Sequence, residues 1–341
     1  MKISEQGAFD LASRLLEAHG APPEHAALQA RALVEAELKG HPSHGLLRLP
    51  RLLARIDRGL LAPGATGLHH WTASARLDVE GEDGFGPVVA MTAIRQLEQR
   101  VSQTGIAVAA VRNSNHLGML AWYVEQVAAG GRIGIAMSSS EALVHPHGGT
   151  RALLGTNPIA IAVPTAGSPL VLDLATSIVS MGKIHHHAAM GQPIPEGWAL
   201  DASGQPTTDP VQARAGALTP FGAAKGYGLG IAIELWVAAM AGSALAPDVR
   251  GTLDADAVCN KGDVLIVIEP ADSPDLLARL ADYLDVIRAS PSADARSPVR
   301  VPGDLAQQRR SEALMRGFDL DPALWAELQA LDRSTSLNLE G

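Results

Sequence analysis

The sequence predicts an α/β protein in which a sheet-forming middle is flanked by helical ends. Three observations carry this. Leu and Ala recur at helical spacing through roughly the first seventy residues. From about Ser74 the texture changes to short apolar runs bounded by Gly, Pro, Asn and Ser. Helical spacing then returns after "GDVLIVIEP". Together they place a helical domain at 1–72 and 271–341 around an α/β domain at 73–270.

Each element has its own reason. "MKISEQGAFDLASRLLEAHG" is acidic and amphipathic and predicts a surface helix; a secretory signal would begin with basic residues and a continuous apolar core. "HAALQARALVEAELKG" and "HGLLRLPRLLARIDRG" are helical and stop at Gly40 and Gly59. The runs "ARLDVEG", "GIAVAAVRN", "RIGIAMSSS", "PIAIAVP", "PLVLDLA" and "GDVLIVIEP" predict strands. Helices "PVVAMTAIRQLEQRVSQTG" and "AWYVEQVAAGG" lie among them. "LGIAIELWVAAMAG" is interrupted by Glu234, falls short of the ~20 residues of a bilayer span, and predicts a buried helix. "SPDLLARLADYLDVIRAS" is helical, "SPSADARSPVRVPGD" is a proline-rich loop, and "DPALWAELQALD" is a last helix that packs against the first ones.

Composition narrows the function. A chain of 341 residues with 47% hydrophobic content can bury a large core, and a net charge of −9 without a basic block argues against nucleic-acid and anionic-membrane partners. The lone cysteine, Cys259, excludes an internal disulfide framework and a Cys-rich zinc site and suits the cytoplasm.

Several polar clusters could carry chemistry. In "GHPSHGLLRLPR", Ser43 is placed to cap a helix beginning at His44, which puts His44 and Arg48 on one face, a proton carrier beside a carboxylate clamp. Pro50 should kink or restart that helix. "VRNSNHLG" puts His116 in a loop at a strand's end, where α/β proteins place their sites. In "FGAAKGYGLG", glycines surround Lys225 just before a long apolar helix, an arrangement suited to a phosphate. Neither the Walker pattern nor the Rossmann G-x-G-x-x-G is present, so a nucleotide site must be of another kind. The triplet His185, His186 and His187 would put two imidazoles on one face of a strand, but no nearby acid or thiol completes a metal set, and no metal is expected.

Taken in order, "SHGLLRLPR", "VRNSNHLGMLAWY", "HPHGGTRALLGTNPIAIAVP", "VLDLATSIVSMGKI", "IPEGWALDASGQPTTDP", "FGAAKGYGLG" and "VRVPGD" resemble the type 2 malate/L-lactate dehydrogenase family over about residues 2 to 335. That resemblance implies a homodimer with a non-Rossmann nicotinamide-binding fold, a largely antiparallel central sheet and active sites between subunits. It implies that His44 and Arg48 serve as proton donor and carboxylate anchor, that Ser43 orients the histidine, and that His116 lies beside the nicotinamide as an alternative acid/base. Thr156 would touch substrate. Ser138 to Ser140, Leu174, Ala175, Thr176, Lys225, Pro302, Gly303 and Asp304 would line the cofactor, NAD or NADP. The implied function is interconversion of a small 2-hydroxy acid and its 2-oxo acid (ureidoglycolate-, malate-, lactate- or sulfolactate-like). Cyclic imino acid reduction, or silent small-molecule binding on the same scaffold, are the alternatives. Lys183 stands where the imine reductases carry an acidic residue, and Ala223 and Ala224 replace the commoner Gly-Gly or Gly-Pro before the lysine.

Overall fold

The structure, a computed structural model, describes residues 1–294 and 296–339. Residues 295, 340 and 341 of the C-terminal helical segment lie outside the described residues. In chain order the N-terminal part holds β1 (Lys2–Ile3), α1 (Glu5–Ala18), α2 (Pro23–Leu38), two 3₁₀ turns and α3 (Leu49–Asp57). The middle runs β2 (Leu68–Ala73), β3 (Arg76–Glu80), α4 (Gly86–Thr104), β4 (Ile106–Arg112), α5 (Ala121–Ala129), β5 (Ile133–Ser138), β6 (Ile159–Val163) and β7 (Leu170–Leu174). Then come α6 (Met181–Ala189), β8 (Ala199–Leu200), β9 (Pro206–Thr207), α7 (Pro210–Arg214), β10 (Ala217–Leu218), α8 (Ala224–Ala241) and β11 (Gly262–Ile268). The chain finishes with α9 (Leu276–Arg288), α10 (Asp304–Arg316), β12 (Phe318–Asp319) and α11 (Pro322–Leu339).

The central sheet has seven strands in the order β2-β3-β4-β11-β5-β6-β7. Only β3 and β4 pair in parallel; the other neighbours are antiparallel, as the family resemblance implied. Strand β11 enters last and lies in the middle, with Ile266 opposite Val108 on one side and Ile135 on the other. Buried on both faces, it reads as a continuous apolar run. Its side chains alternate: Leu265 and Val267 join Leu97, Ile94 and Val127 of α4 and α5, while Val264 and Ile266 meet Ile233 and Val237 of α8. The terminal helices form a separate core in which Leu11 and Leu15 of α1, Leu33 of α2, Leu53 of α3 and Leu328 of α11 pack together. Arg14 and Asp332 bridge α1 and α11 at 2.9 Å.

Four expectations are corrected. Strand β2 begins at Leu68, inside the stretch expected to be helical; it is an edge strand whose exposed residues leave no apolar run to detect. Helix α10 was not expected, because only Ala313 of its residues is buried and its sequence shows no apolar stripe. His185, His186 and His187 lie on helix α6, not a strand: Ser180 caps it by accepting the Lys183 N–H at 3.3 Å. Finally, α8 is not buried all round in the single chain, since Leu229, Leu235 and Trp236 are exposed.

Candidate active site

The segment after α2 departs from a simple helix. Two 3₁₀ turns, Pro42–His44 and Leu46–Arg48, replace the helical start expected at His44, and Ser43 caps nothing. The α-helix restarts at Leu49, with Pro50 in its first turn, where a missing N–H has no partner to lose. Arg48 is tied down by its own turn: Nε donates to the Ser43 carbonyl at 2.8 Å and Nη1 to the Thr252 carbonyl at 3.3 Å. Beneath the turns, buried Glu37 accepts the Leu46 N–H at 2.7 Å. Burial pushes its carboxyl up to about 7. A Cβ on Gly45 would lie 2.2 Å from a Glu37 oxygen, so this crossing needs glycine.

His116 is held by a different element. Asn115, just before it, accepts from Arg55 Nε at 2.8 Å and donates to the Asp83 carbonyl at 2.7 Å. A Cβ on Gly86 would meet the Asn115 and His116 carbonyls at 2.5 Å, which lets α4 begin against this loop. The Gly118 N–H donates to His116 Nδ1 at 3.0 Å. The rings of His44 and His116 stack with centroids 5.4 Å apart and planes 14° from parallel. Both imidazoles are held neutral. Burial, then Arg48 and His41, lowers His44 to about 3, and burial followed by Arg48 and His44 holds His116 well below the usual range. His44 Nδ1 is buried and has no hydrogen-bond partner among the described residues.

These residues open on a cleft of about 270 Å³. Of the residues singled out in the sequence, Ser43, His44, Arg48, His116, Ser138, Ser140, Thr156, Leu174 and Ala175 line it. No hydrogen bond links the Ser43 hydroxyl to either imidazole among the described residues; Ser43 packs against Gly182 at the start of α6 instead. Thr176 turns away and donates its hydroxyl to the Thr156 carbonyl at 2.9 Å. Lys225 is exposed at the start of α8, and Pro302, Gly303 and Asp304 begin α10; none of these four lines the cleft. Asp304 is gripped in two-pronged fashion by Arg288 at 3.0 and 2.9 Å.

The sequence reading missed the supports. Lys261, 2% exposed, lines the cleft next to His116 and pairs with buried Asp263, which also accepts from Ser138 Oγ at 2.6 Å and Ser114 Oγ at 3.2 Å. A lysine immediately before the most apolar strand was a visible signal. Glu234, noted only as the interruption in an apolar run, anchors the Thr156 loop. It accepts from Asn157 Nδ2 at 2.6 Å and from the Gly155 N–H at 3.2 Å. Glu141, also on the cleft, accepts the N–H groups of Thr252 and Leu253 at 2.8 and 2.9 Å and so fixes the carbonyl that Arg48 reaches. No cluster among the described residues could hold a metal ion, and none of the described helices is long and apolar enough to cross a membrane.

The sequence matches the family model described as malate/L-lactate dehydrogenase over residues 3–329. The chain belongs to that family. Among its relatives, the L-sulfolactate dehydrogenase of Methanothermobacter thermautotrophicus is 32% identical over 344 residues, covering 100% of this chain and 99% of the other. The malate dehydrogenase of Pyrococcus abyssi is 37% identical over 301 residues, 85% of this chain and 83% of its own. Delta(1)-pyrroline-2-carboxylate reductases are also relatives. A solved dehydrogenase from Sinorhizobium meliloti superposes with a TM-score of 0.95 at 55% identity, over 97% of this chain and 98% of that one. The family makes this protein a hydroxy acid dehydrogenase that works with a nicotinamide cofactor.

The cleft fits such a cofactor. Pro158, Leu174 and Ala175 offer an apolar wall for a flat ring, and His44, whose buried Nδ1 has no hydrogen-bond partner among the described residues, lines the same cleft. Ser138 and Ser139 spend their hydroxyls on Asp263 and on backbone carbonyls, so they shape the wall.

Proposed function

We propose that this cleft interconverts a small 2-hydroxy acid and its 2-oxo acid, with Arg48 holding the substrate carboxylate, His44 moving the proton, and His116 presenting a fixed N–H. One observation carries the division of labour: the Gly118 N–H donates into His116 Nδ1. A neutral imidazole that accepts at Nδ1 bears its proton on Nε2. Adding a second proton would set an N–H against an N–H, so His116 resists charging. His44 Nδ1 meets no such donor and is free to take a proton.

The bound nicotinamide supplies or accepts the hydride at the carbon bearing the oxygen. The chain's own groups do the rest. A carboxylate reaching Arg48 finds a guanidinium already oriented by Ser43 and Thr252. As the carbonyl gains charge, His44 protonates the oxygen and the His116 N–H stabilises it. The cofactor is NAD or NADP, lying along Ser138, Ser140, Leu174 and Ala175; by family resemblance Thr156 touches substrate, and Thr176, Lys225, Pro302, Gly303 and Asp304 complete the cofactor site. Ureidoglycolate, malate, lactate and sulfolactate are the candidate substrates. The exposed stripe of Leu229, Leu235 and Trp236 on α8 supports a homodimer, and the buried free thiol of Cys259 fits a cytoplasmic enzyme.

The test is a purified-protein screen of 2-oxo acids and cyclic imines, following reduced-nicotinamide absorbance with NADH and with NADPH. Turnover of a 2-oxo acid with a falling limb at high pH, lost in the residual activity of His44→Gln and kept in His116→Gln, is expected. A limb that survives in His44→Gln and vanishes in His116→Gln reverses the two roles. Turnover of cyclic imines alone replaces the substrate class.

A further inference from the structure

The cleft has apolar residues on more than its cofactor side. Pro158, Leu174 and Ala175 suit the flat ring, but Leu143, Met181 and Leu253 line the cleft as well and carry no group that hydride or proton transfer uses. Each sits next to the reacting groups. Met181 precedes Gly182, whose Cβ position meets Ser43, the neighbour of His44. Leu253 follows Thr252, whose carbonyl accepts from Arg48, and its own N–H donates to Glu141 at 2.9 Å. Leu143 lies just beyond Glu141 in the chain and, with Met181, packs against the buried cluster that contains Val179 and Ile184. A wall so backed offers a substrate contact area but no hydrogen bond.

Charge in the cleft points the same way. Lys261 is paired with Asp263, whereas Arg48 donates only to carbonyls, so among the described residues Arg48 is the cleft-lining cation left for a carboxylate. Two carboxylates line the cleft too: Glu141, bound by Thr252 and Leu253, and Asp173, which accepts the Ala121 N–H at 2.7 Å. Glu141 is close enough to act on the Arg48 charge. One substrate carboxylate satisfies Arg48. A second acid would share the cleft with Glu141 and find no uncommitted cation among the described residues that line it.

We propose that the substrate's chain beyond the reacting carbon is uncharged and apolar, seated against Leu143, Met181 and Leu253, and that Glu141 turns away 2-oxo acids carrying a second acid group. The assignment rests on the proposed 2-oxo acid reading and narrows it, separating lactate-like substrates with an extended apolar chain from malate- and sulfolactate-like ones. Glu141 does this without touching the reacting atoms. It repels the far acid while its hold on the Thr252 loop keeps Leu253 against the cleft.

The experiment compares kcat/KM for pyruvate, 2-oxobutyrate, 2-oxopentanoate, 4-methyl-2-oxopentanoate, oxaloacetate and sulfopyruvate in the parent, in Leu253→Ala and in Glu141→Gln, with circular dichroism and cofactor affinity checked for each. In the parent, kcat/KM should rise about fourfold per added methylene from pyruvate to 2-oxopentanoate, as expected for burying one CH2, and both dianions should fall below 2-oxopentanoate. Leu253→Ala should move the optimum to the branched 4-methyl-2-oxopentanoate, a gain that mere loss of structure would not give. Glu141→Gln keeps an oxygen for the Thr252 and Leu253 N–H groups and should raise the oxaloacetate-to-pyruvate ratio about tenfold, the size of a like-charge repulsion across a partly solvated cleft. A parent that prefers either dianion to 2-oxopentanoate, or gains nothing from added methylenes, overturns the assignment and leaves the 2-oxo acid reading intact. An optimum unchanged in Leu253→Ala removes the apolar seat, and a ratio unchanged in Glu141→Gln removes the charge selection. A folded, cofactor-binding parent that reduces none of these acids overturns both readings.

Discussion

Proton uptake on substrate binding gives the sharpest view of His44. In the free cleft this imidazole titrates at about 3, because burial strips its charge of water and Arg48 and His41 repel it. Oxamate, an unreactive 2-oxo acid mimic, would bring a carboxylate to Arg48 and cancel part of that repulsion. A carboxylate about 4 Å from the ring, at an effective dielectric of about 20, is worth about 4 kcal/mol, or about 3 pKa units. His44 should therefore rise to about 6 in the complex. Binding should then take up about half a proton per site at pH 6, about a tenth at pH 7, and almost none at pH 8. Calorimetry with saturating reduced cofactor, in buffers of different ionisation heat, reads this number directly. His44→Gln should abolish the uptake, while His116→Gln should keep it, because the Gly118 N–H already holds His116 uncharged. Absence of uptake at pH 6 in the parent, or equal uptake in His44→Gln, refutes the reasoning.

Further outcomes are expected. Arg48→Lys should raise substrate KM about 100-fold with cofactor affinity retained, since a point charge cannot span the carboxylate and the Ser43 and Thr252 carbonyls together; steady-state kinetics with each ligand varied checks it. Glu37 titrates higher in the fold than in the unfolded chain, so the native state holds the extra proton and stability falls as pH rises from about 4.5 to about 7. Glu37→Gln should remove a pH-dependent loss of up to about 3 kcal/mol, seen as a flatter Tm profile. Lys225→Ala should weaken cofactor binding several-fold by fluorescence titration, and equal dissociation constants would remove it from the cofactor site. Trp236→Glu puts a charge into the exposed apolar stripe of α8 and should break the proposed dimer, leaving a particle of monomer mass by light scattering, whereas a mass equal to the parent's removes this stripe from the interface.

What could be read from the chain divides along physical lines. The strands of the sheet's buried middle were legible because burial on both faces leaves an uninterrupted apolar run, as in "GDVLIVIEP". Edge strand β2 and polar helix α10 were not, because neither buries enough apolar surface to imprint a period. At the site, His44, Arg48 and His116 could be named from residue chemistry and family resemblance. The local geometry could not. A helix N-cap at Ser43 is what short-range preference favours, but buried Glu37 takes the Leu46 N–H and holds the backbone in two 3₁₀ turns. That carboxylate lies in the preceding helix and gives no local sign of its target. Lys261, Glu234 and Glu141 escaped notice for the same reason, since each acts on a loop far away in sequence. The histidine triplet was misplaced because periodicity over so short a stretch cannot separate strand from helix, whereas the Ser180 cap decides it.

The position of β11 has a consequence for how the molecule comes to exist on the ribosome. Residues 262 to 268 fill the slot between β4 and β5, so until they emerge the sheet consists of two halves, β2-β3-β4 and β5-β6-β7, each with an unpaired edge facing the gap. Such edges are templates for pairing with other chains. Closing the slot joins segments more than a hundred residues apart, a high-contact-order event that slows folding. The same insertion fixes Lys261, which lines the cleft, by pairing it with buried Asp263. The anchoring of Lys261 and the pairing of both inner sheet edges thus arrive in one late step, and a nascent chain that stalls before Gly262 has neither.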